Sequence, residues 1–215
     1  MTIYIGVDLG TSLLRKSTGL ACLVEKHGKP TMESPPVHII SEDELIRKCI
    51  TQMSEHFQQR LIAMDAPLSR PEHGTMRECE KRLRKRGIAC FPSGADWVTG
   101  WVDKAIGLKA WAKKELSARM IEVYPYAARR ALDMGTDVKK KTKEGRHEIQ
   151  EGLLKLIWGL DELTGDKLLS DDELDAILSA YTAYLKEKGD ADSVDGTDGV
   201  IFLPLRRQDH KIYEY

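Results

Sequence analysis

Three short apolar segments of this chain each carry an acidic residue at or near the end of the segment. They are residues 2–8 (TIYIGVD), 61–65 (LIAMD) and 119–125 (RMIEVYP), and their acids are Asp8, Asp65 and Glu122. Short runs of β-branched and other apolar residues predict buried strands. A carboxylate buried at such a strand is costly unless it is paired or binds a cation. The three segments therefore predict an α/β protein whose strand ends bring acids together at one edge of a sheet.

The order of the predicted elements limits the number of folds that the chain can adopt. Strands are predicted at residues 2–8, 19–25, 36–40, 61–65 and 119–125, and helices from Ser41, at 75–86, within 88–118, and at 126–133, 146–159 and 171–188. Residues 188–198 are predicted as a polar loop, and residues 199–204 as an edge strand or a docked tail. The first three strands should form an antiparallel meander, and the last two should pair in parallel through right-handed crossovers.

This order is that of the ribonuclease H-like fold. We expect a mixed five-stranded sheet, three strands antiparallel and two parallel, flanked by helices, with a helical insertion at about 88–118 before the fifth strand. The chain is predicted to be a single domain over residues 1–215. Nucleases and the halves of actin-like ATPases share the fold, so the fold alone leaves the function open.

Composition excludes several classes of protein. Hydrophobic residues make up 41% of the chain and charged residues 31%, which is a soluble globular balance. No stretch approaches the ~20 apolar residues of a membrane helix, and strand-like residues begin at Thr2, without a basic and apolar leader. The four cysteines lie far apart without a C-x-x-C motif, so no zinc ribbon or disulfide framework is predicted. We expect a cytoplasmic protein without membrane contact.

The segment SDDELDAILSAYTAYLKEKG predicts the last helix and supplies two further acids. Ser170 and Glu173 form a capping box at its start, and an apolar stripe follows at helical spacing. Asp172 and Asp175 lie three residues apart beside that stripe. The helix dipole explains acids in the first turn, but it explains Asp175 poorly because Asp175 lies beyond that turn. Asp175 is therefore the stronger candidate for a functional site.

Acids converging from several segments predict divalent cations. Carboxylates in one pocket repel one another, and their pKa values rise unless cations neutralise them. Ligand sets made only of oxygen favour Mg²⁺ or Mn²⁺ over zinc. A pair of such ions about 4 Å apart activates water and stabilises the leaving oxygen of a phosphodiester. One or two ions are expected, with Asp8, Asp65, Glu122 and Asp175 as catalytic residues and metal ligands, and Asp172 as a further ligand.

The motifs GVDLGTS…TGLA, IAMDAPLS, RECEKRLR, IEVYP and DDELDAILSAYTA, in this order, resemble domain-of-unknown-function family 429, the predicted RNase H-like nucleases. The resemblance covers about residues 3–204. It implies a metal-dependent nuclease related to the Holliday-junction resolvases, which place acids on the first strand, the fourth strand and, as a pair, the last helix. Asp8, Asp65, Asp172 and Asp175 match that arrangement, although Asp65 stands where resolvases usually carry Glu. Glu122 belongs to the EVYP element of the family and not to the resolvase set.

Basic and hydroxyl residues near the acids are the candidate substrate contacts. The formal net charge of −1 excludes a strong overall attraction to nucleic acid, so any attraction to phosphates has to be local. Lys and Arg are concentrated in residues 80–87 and 138–147. The predicted substrate-binding residues are Thr11, Ser12, Arg77, Arg84, Lys141 and Arg146.

The leading prediction is a Mg²⁺- or Mn²⁺-dependent nuclease that acts on DNA or RNA by a two-metal mechanism. GVDLGTS also resembles the phosphate loop of actin-like and sugar-kinase phosphotransferases, but those proteins need a second such fold and a second glycine-rich motif, and no such motif occurs here. A nucleic-acid-binding module without turnover is the other alternative. The choice between DNA and RNA and the oligomeric state, a dimer included, stay open.

Overall fold

The computed structural model describes residues 1–10 and 17–206. Its strands are β1 (Thr2–Asp8), β2 (Ser17–Lys26), β3 (Lys29–Met32), β4 (Val37–Ile40), β5 (Gln59–Asp65), β6 (Arg119–Val123), β7 (Ala191–Gly196) and β8 (Gly199–Pro204). Its helices are α1 (Asp43–Ser54), α2 (Glu78–Lys85), α3 (Thr99–Leu116), α4 (Pro125–Leu132), α5 (Lys143–Leu154), α6 (Leu160–Thr164) and α7 (Asp171–Lys188), with a 3₁₀ turn at Asp96–Val98. Within these two ranges no helix is both long enough and apolar enough to cross a membrane.

One mixed sheet connects the strands in the order β3-β2-β1-β5-β6-β8-β7, and β4 pairs with β2 as well. β2 is antiparallel to β1, β3 and β4, whereas the pairs β1–β5, β5–β6 and β6–β8 are parallel. The predicted combination of an antiparallel meander and a parallel pair is confirmed. The number of strands is different, because the described residues form a sheet of eight strands instead of five.

The strands that the sequence did not predict are short and polar. β3 reads KPTM and pairs with β2, and β7 reads ADSVDG in the segment predicted as a polar loop. Both lie at the ends of the sheet, where the strand order begins and ends, so their conformation depends on pairing with a neighbour more than on their own residues. The segment predicted as an edge strand or a docked tail is β8, which is paired on both sides, with β6 and with β7.

Two helices begin later than the sequence predicts. α1 begins at Asp43 because the hydroxyl of Ser41 does not cap it and instead accepts hydrogen bonds from Thr18 at 2.7 Å and from Lys104 at 3.1 Å. α2 begins at Glu78 rather than at the predicted residue 75, and there the carboxylate of Glu80 accepts the backbone N–H of Arg77 at 3.0 Å. Contacts of Ser41 with distant residues therefore set the start of α1. The hydrogen bond between Glu80 and Arg77 sets the start of α2.

Helices cover both faces of the sheet. α1 and α3 pack on one face, where Ile5 and Met64 are fully buried. α7 packs on the other face, where Tyr4 and Leu61 are buried with it. Since side chains alternate between faces along a strand, every second residue of β1 and β5 is directed toward α7.

α7 approaches β1 and β2 closely because glycines stand at the crossing points. A Cβ atom on Gly6 would lie 1.9 Å from the carbonyl oxygen of Ala176, and one on Gly19 would lie 2.0 Å from the carbonyl oxygen of Asp172. Real Cβ atoms do not come so close to backbone atoms, so only glycine permits this packing at either position. The first half of α7 is thereby held against the end of β1 that carries Asp8.

We expect Gly6→Ala to lower the free energy of unfolding by about 3 kcal/mol, because a fixed helix backbone cannot yield to the added methyl group. Gly107→Ala is the matched control, since Gly107 lies in α3 with nothing within 4 Å of its Cβ position. That change should be neutral or stabilising by up to about 1 kcal/mol through helix propensity. Urea unfolding measures both, and equal stabilities of the two variants would contradict the close packing of α7.

Candidate metal centre

The register of β1 and β5 brings two acids to the same place. Asp8 and Asp65 are the last residues of their strands, and they are partners in the parallel register. Residues in register on neighbouring parallel strands have their side chains on the same face of the sheet. Because Asp8 lies four residues after Tyr4, this face is the one that α7 covers.

α7 supplies the third acid. The predicted capping box is confirmed: Ser170 Oγ accepts the backbone N–H of Glu173 at 3.2 Å, and the carboxylate of Glu173 accepts the backbone N–H of Ser170 at 2.8 Å. This cap fixes where the helix begins, and Asp175 follows in the second turn. The glycine contacts with β1 and β2 then place Asp175 above Asp8 and Asp65.

The three carboxylates form one compact group. One carboxylate oxygen from each of Asp8, Asp65 and Asp175 lies within 4.8 Å of the other two. Asp8 and Asp175 are buried, with 5% and 6% of their surface exposed, and Asp65 is half-buried. Three acids at this separation repel one another, and a bound cation removes the repulsion. The group therefore has the geometry of a divalent metal site.

The donor atoms also fit a hard cation. All three side chains offer oxygen, the donor that Mg²⁺ and Mn²⁺ prefer. Asp175 Oδ1 is buried and accepts no hydrogen bond from the described residues. Asp175 Oδ2 forms an ion pair with the ammonium group of Lys140. Lys140, from the loop before α5, belongs to the basic segment 138–147, and the sequence gives no periodic signal for which lysine of that segment is directed inward.

Asp172 lies one turn before Asp175, outside this group. Its Oδ2 accepts the hydroxyl of Ser17 at 2.6 Å and lies 3.3 Å from Nε2 of His38, which is on β4. Asp172 is buried, with 3% of its surface exposed. The structure thus places the fourth predicted acid on the same helix, beside β2 and β4. His38 is a neighbour of the site that the sequence interpretation did not select.

Glu122 is on the opposite face of the sheet. In the register of β5 and β6 it is the partner of Met64, which packs in the layer of α1 and α3, and not of Asp65. Its carboxylate accepts hydrogen bonds from both terminal nitrogens of Arg77, at 2.7 and 2.5 Å, and from the backbone N–H of Leu68, at 2.9 Å. The structure therefore does not bring Glu122 to the three aspartates, since side chains alternate between faces with a period of two residues.

Arg77 is equally removed from solvent, with 1% of its surface exposed. Besides its bonds to Glu122, it donates hydrogen bonds from Nε to the carboxylate of Glu80, at 2.9 Å, and from Nη1 to the hydroxyl of Ser69, at 3.0 Å. Burial opposes the charge of Arg77, but the hydrogen bonds and the charge of Glu122 outweigh burial, so the pKa of the guanidinium lies above its ordinary value. Burial raises the pKa of Glu122, against the opposing effect of Arg77. The predicted substrate contact Arg77 is thus part of a buried ion pair.

The remaining predicted substrate residues lie at the surface or outside the described ranges. Arg84 is exposed and donates to the carbonyl oxygen of Cys90 at 2.8 Å. Lys141, one residue after Lys140, is exposed. Arg146, within α5, is half-buried. Thr11 and Ser12 lie outside the described residues.

Tyr124 lies next to the metal centre at the end of β6. Its hydroxyl donates to the carbonyl oxygen of Ala89 at 2.7 Å. Burial raises the pKa of this hydroxyl first, and the negative charges of Asp65 and Asp175 raise it further. The phenol is therefore neutral at physiological pH and lies within electrostatic reach of the acids.

Comparisons with known proteins identify the family and the fold. The model of the family DUF429, described as a protein of unknown function, matches residues 6–198. RuvC of Thermus thermophilus in complex with a Holliday junction substrate is similar with a TM-score of 0.52 and 12% identity, over 92% of this chain and 99% of that chain. A second Thermus thermophilus RuvC structure matches with a TM-score of 0.47 and 14% identity over the same shares. A search of curated proteins found no match. The first structural similarity confirms the predicted ribonuclease H-like fold.

We expect Glu122→Gln to lower the free energy of unfolding by about 3 kcal/mol, because it leaves the buried charge of Arg77 with only part of its neutralising partners. Asp192→Asn, which breaks the exposed ion pair of Asp192 with Arg86, is the control and should cost less than about 1 kcal/mol. Chemical denaturation measures both. Equal losses in the two variants would show that the buried pair does not stabilise the fold.

We expect Mn²⁺ to raise the melting temperature of the protein, and Asp175→Asn to remove most of that increase, because a ligand that binds only the folded state stabilises it. Glu187→Gln is the control, since Glu187 lies near the far end of α7 and pairs with Arg119. Differential scanning fluorimetry with and without EDTA gives the comparison. An increase of the same size in both variants would place the metal elsewhere.

Proposed function

Because this chain belongs to the DUF429 family and has a ribonuclease H-like fold, we propose that it is a divalent-metal-dependent nuclease that hydrolyses phosphodiester bonds of DNA or RNA. The observation that carries the proposal is the group of Asp8, Asp65 and Asp175, whose oxygens lie within 4.8 Å of one another. An all-oxygen, partly buried acid group at the ends of parallel strands suits Mg²⁺ or Mn²⁺ and the phosphate oxygens that such ions bind.

Each residue of the group has a distinct part in this proposal. Asp8 and Asp65 would hold the metal from the sheet, and Asp175 would hold it from the helix. Asp172, whose carboxylate is oriented by Ser17, would support a second ion. The metal, when bound, supplies an activated water and neutralises charge on the leaving oxygen. Glu122 would act indirectly, because its ion pair with Arg77 positions the segment that follows Asp65.

The cations around the acids support a phosphate-bearing substrate. Lys140 already contacts Asp175, and its ammonium group would lie beside a phosphate bound at the same place. Lys141 is the next residue and is exposed, as is Arg84. Positive groups next to an acidic metal site attract the phosphate backbone locally although the whole chain has a formal charge of −1. The proposed partner is therefore nucleic acid bound at one face of the protein.

We expect Mn²⁺- or Mg²⁺-dependent cleavage of at least one member of a panel of single-stranded, duplex and branched DNA and RNA. Branched DNA is included because the similar RuvC structure contains a Holliday junction substrate. Asp8→Asn should reduce the cleavage rate at least about 100-fold, since losing a metal ligand should cost no less than the 10–100-fold seen for residues that only orient ligands.

Glu187→Gln serves as the control and should cleave at the rate of the unsubstituted protein, and circular dichroism should show that Asp8→Asn folds. Cleavage that survives in Asp8→Asn or in EDTA would exclude the proposed site. Metal-dependent binding of nucleic acid with no cleavage of any substrate would favour a binding module without turnover.

A further inference from the structure

A cavity of about 430 Å³ lies between α4 and the loop that precedes α5. Tyr126, Arg129 and Arg130 line it from α4, and residues 135–138 line it from the loop. The volume lies within the ~300–1,000 Å³ of small-molecule sites, which is enough for a nucleotide-sized group. We call this cavity the Arg129 pocket.

Arg129 is buried in this pocket, and none of the described carboxylates neutralises it. Only 7% of its surface is exposed, and its Nε makes no hydrogen bond within the described residues. Its Nη1 donates to the carbonyl oxygen of Gly135 at 3.4 Å, which is long for such a bond. No described carboxylate forms an ion pair with it, in contrast to Arg77, which pairs with two glutamates. A buried cation without an anion is costly, so the pocket has the chemistry of an anion site.

Two more residues of α4 add to the positive and aromatic character of the pocket. Tyr126, Arg129 and Arg130 lie on one face of the helix, three and four residues apart. The guanidinium groups of Arg129 and Arg130 lie 5.8 and 6.0 Å from the ring of Tyr126. Arg130 is exposed, and its hydrogen bonds, to Gly87 O and Tyr126 Oη, are both 3.4 Å long. The acid that lines the pocket, Asp137, is exposed and makes no ion pair with either arginine.

The pocket is connected to the metal centre through two neighbouring segments of the chain. The ring of Tyr126 lies 5.8 Å from the ring of Tyr124, which is within electrostatic reach of Asp65. On the other side, the loop that contributes Val138 continues to Lys140, whose ammonium group pairs with Asp175. These two connections make the pocket and the acids candidates for the binding of one extended ligand.

We propose that the Arg129 pocket binds a phosphate group of the nucleic-acid strand, close to the phosphate at the metal centre. Arg129 and Arg130 would each donate charge-assisted hydrogen bonds to its oxygens, as guanidinium groups do in phosphate sites. The identity of the ligand as nucleic acid rests on the proposed function, whereas anion binding rests on the pocket alone. The phosphate can be an internal phosphodiester or a terminal monophosphate of the strand, since both present the same oxygens.

The test uses the full chain and three variants. Arg129→Met keeps the length of the side chain and removes its charge, and Arg130→Gln changes an exposed residue. Arg119→Gln is the control at the opposite end of β6. Fluorescence anisotropy measures binding of an eight-nucleotide single-stranded DNA, with and without a 5′-phosphate, in Ca²⁺ to suppress cleavage. Melting temperatures are measured in potassium phosphate and in potassium chloride of equal ionic strength.

Arg129→Met and Arg130→Gln should each weaken oligonucleotide binding about tenfold or more, and Arg119→Gln should not, because a lost charge-assisted hydrogen bond costs at least that factor. Phosphate should raise the melting temperature of the unsubstituted protein more than chloride does, and both variants should lose that difference. In chloride, Arg129→Met should melt at or above the temperature of the unsubstituted protein, because an uncompensated buried charge has been removed. A residue with only a structural role would instead lower it.

The remaining outcomes separate this proposal from the proposed function. A larger loss with the 5′-phosphorylated oligonucleotide identifies a terminal monophosphate, and equal losses identify an internal phosphodiester. A phosphate-specific rise in melting temperature without oligonucleotide binding would retain the anion pocket and overturn the nucleic-acid function. Unchanged oligonucleotide affinity in both variants, or no phosphate-specific rise together with no oligonucleotide binding, would overturn the pocket.

Discussion

The contact between α7 and the backbone of β1 and β2 is the constraint on which the metal centre depends. Gly6 and Gly19 remove the two Cβ atoms that would hold the helix away, so strand and helix backbones touch. A functional group of this kind has to be held within about 0.5 Å of its working geometry. If the helix were displaced by the thickness of one methyl group, Asp175 would leave Asp8 and Asp65. The arrangement of three acids is therefore a consequence of two glycines.

The alternation of side chains along each strand divides the charged residues at this edge of the sheet into two sites. Asp8 and Asp65 are in register and face α7, while Glu122 is in register with Met64 and lies on the other face. There Glu122 pairs with Arg77 and accepts the N–H of Leu68. Leu68 follows Asp65 by three residues. The pair of Glu122 and Arg77 on one face of the sheet therefore holds the segment that follows Asp65, whose side chain lies on the other face. The group of aspartates and the pair of Glu122 and Arg77 share no residue, but the segment that follows β5 links them.

The sequence could predict the elements whose own residues determine them. The apolar strands β1, β5 and β6, the capping box at Ser170 and the acids at strand ends are local signals, and the structure contains all of them. It could not predict β3 or β7, because their residues are polar and their strand conformation comes from pairing with β2 and β8. The place of Glu122 depends on strand register, and the inward direction of Lys140 depends on a loop conformation. Neither leaves a periodic pattern in the residues.

The charges around this site are complementary to the parts of a metal-bound phosphate ester. On one side, three carboxylate groups approach one another with a buried oxygen of Asp175 that accepts no hydrogen bond from the described chain. On the other, the guanidinium of Arg129 is buried with no described carboxylate to neutralise it. The buried Arg77, by contrast, is paired with Glu122 and Glu80. Folding alone favours such pairing, because an unpaired buried charge lowers stability. A buried carboxylate oxygen and a buried guanidinium, each without such a partner among the described residues, have opposite signs, which is the pattern expected of a site completed by a cation and a polyanion together.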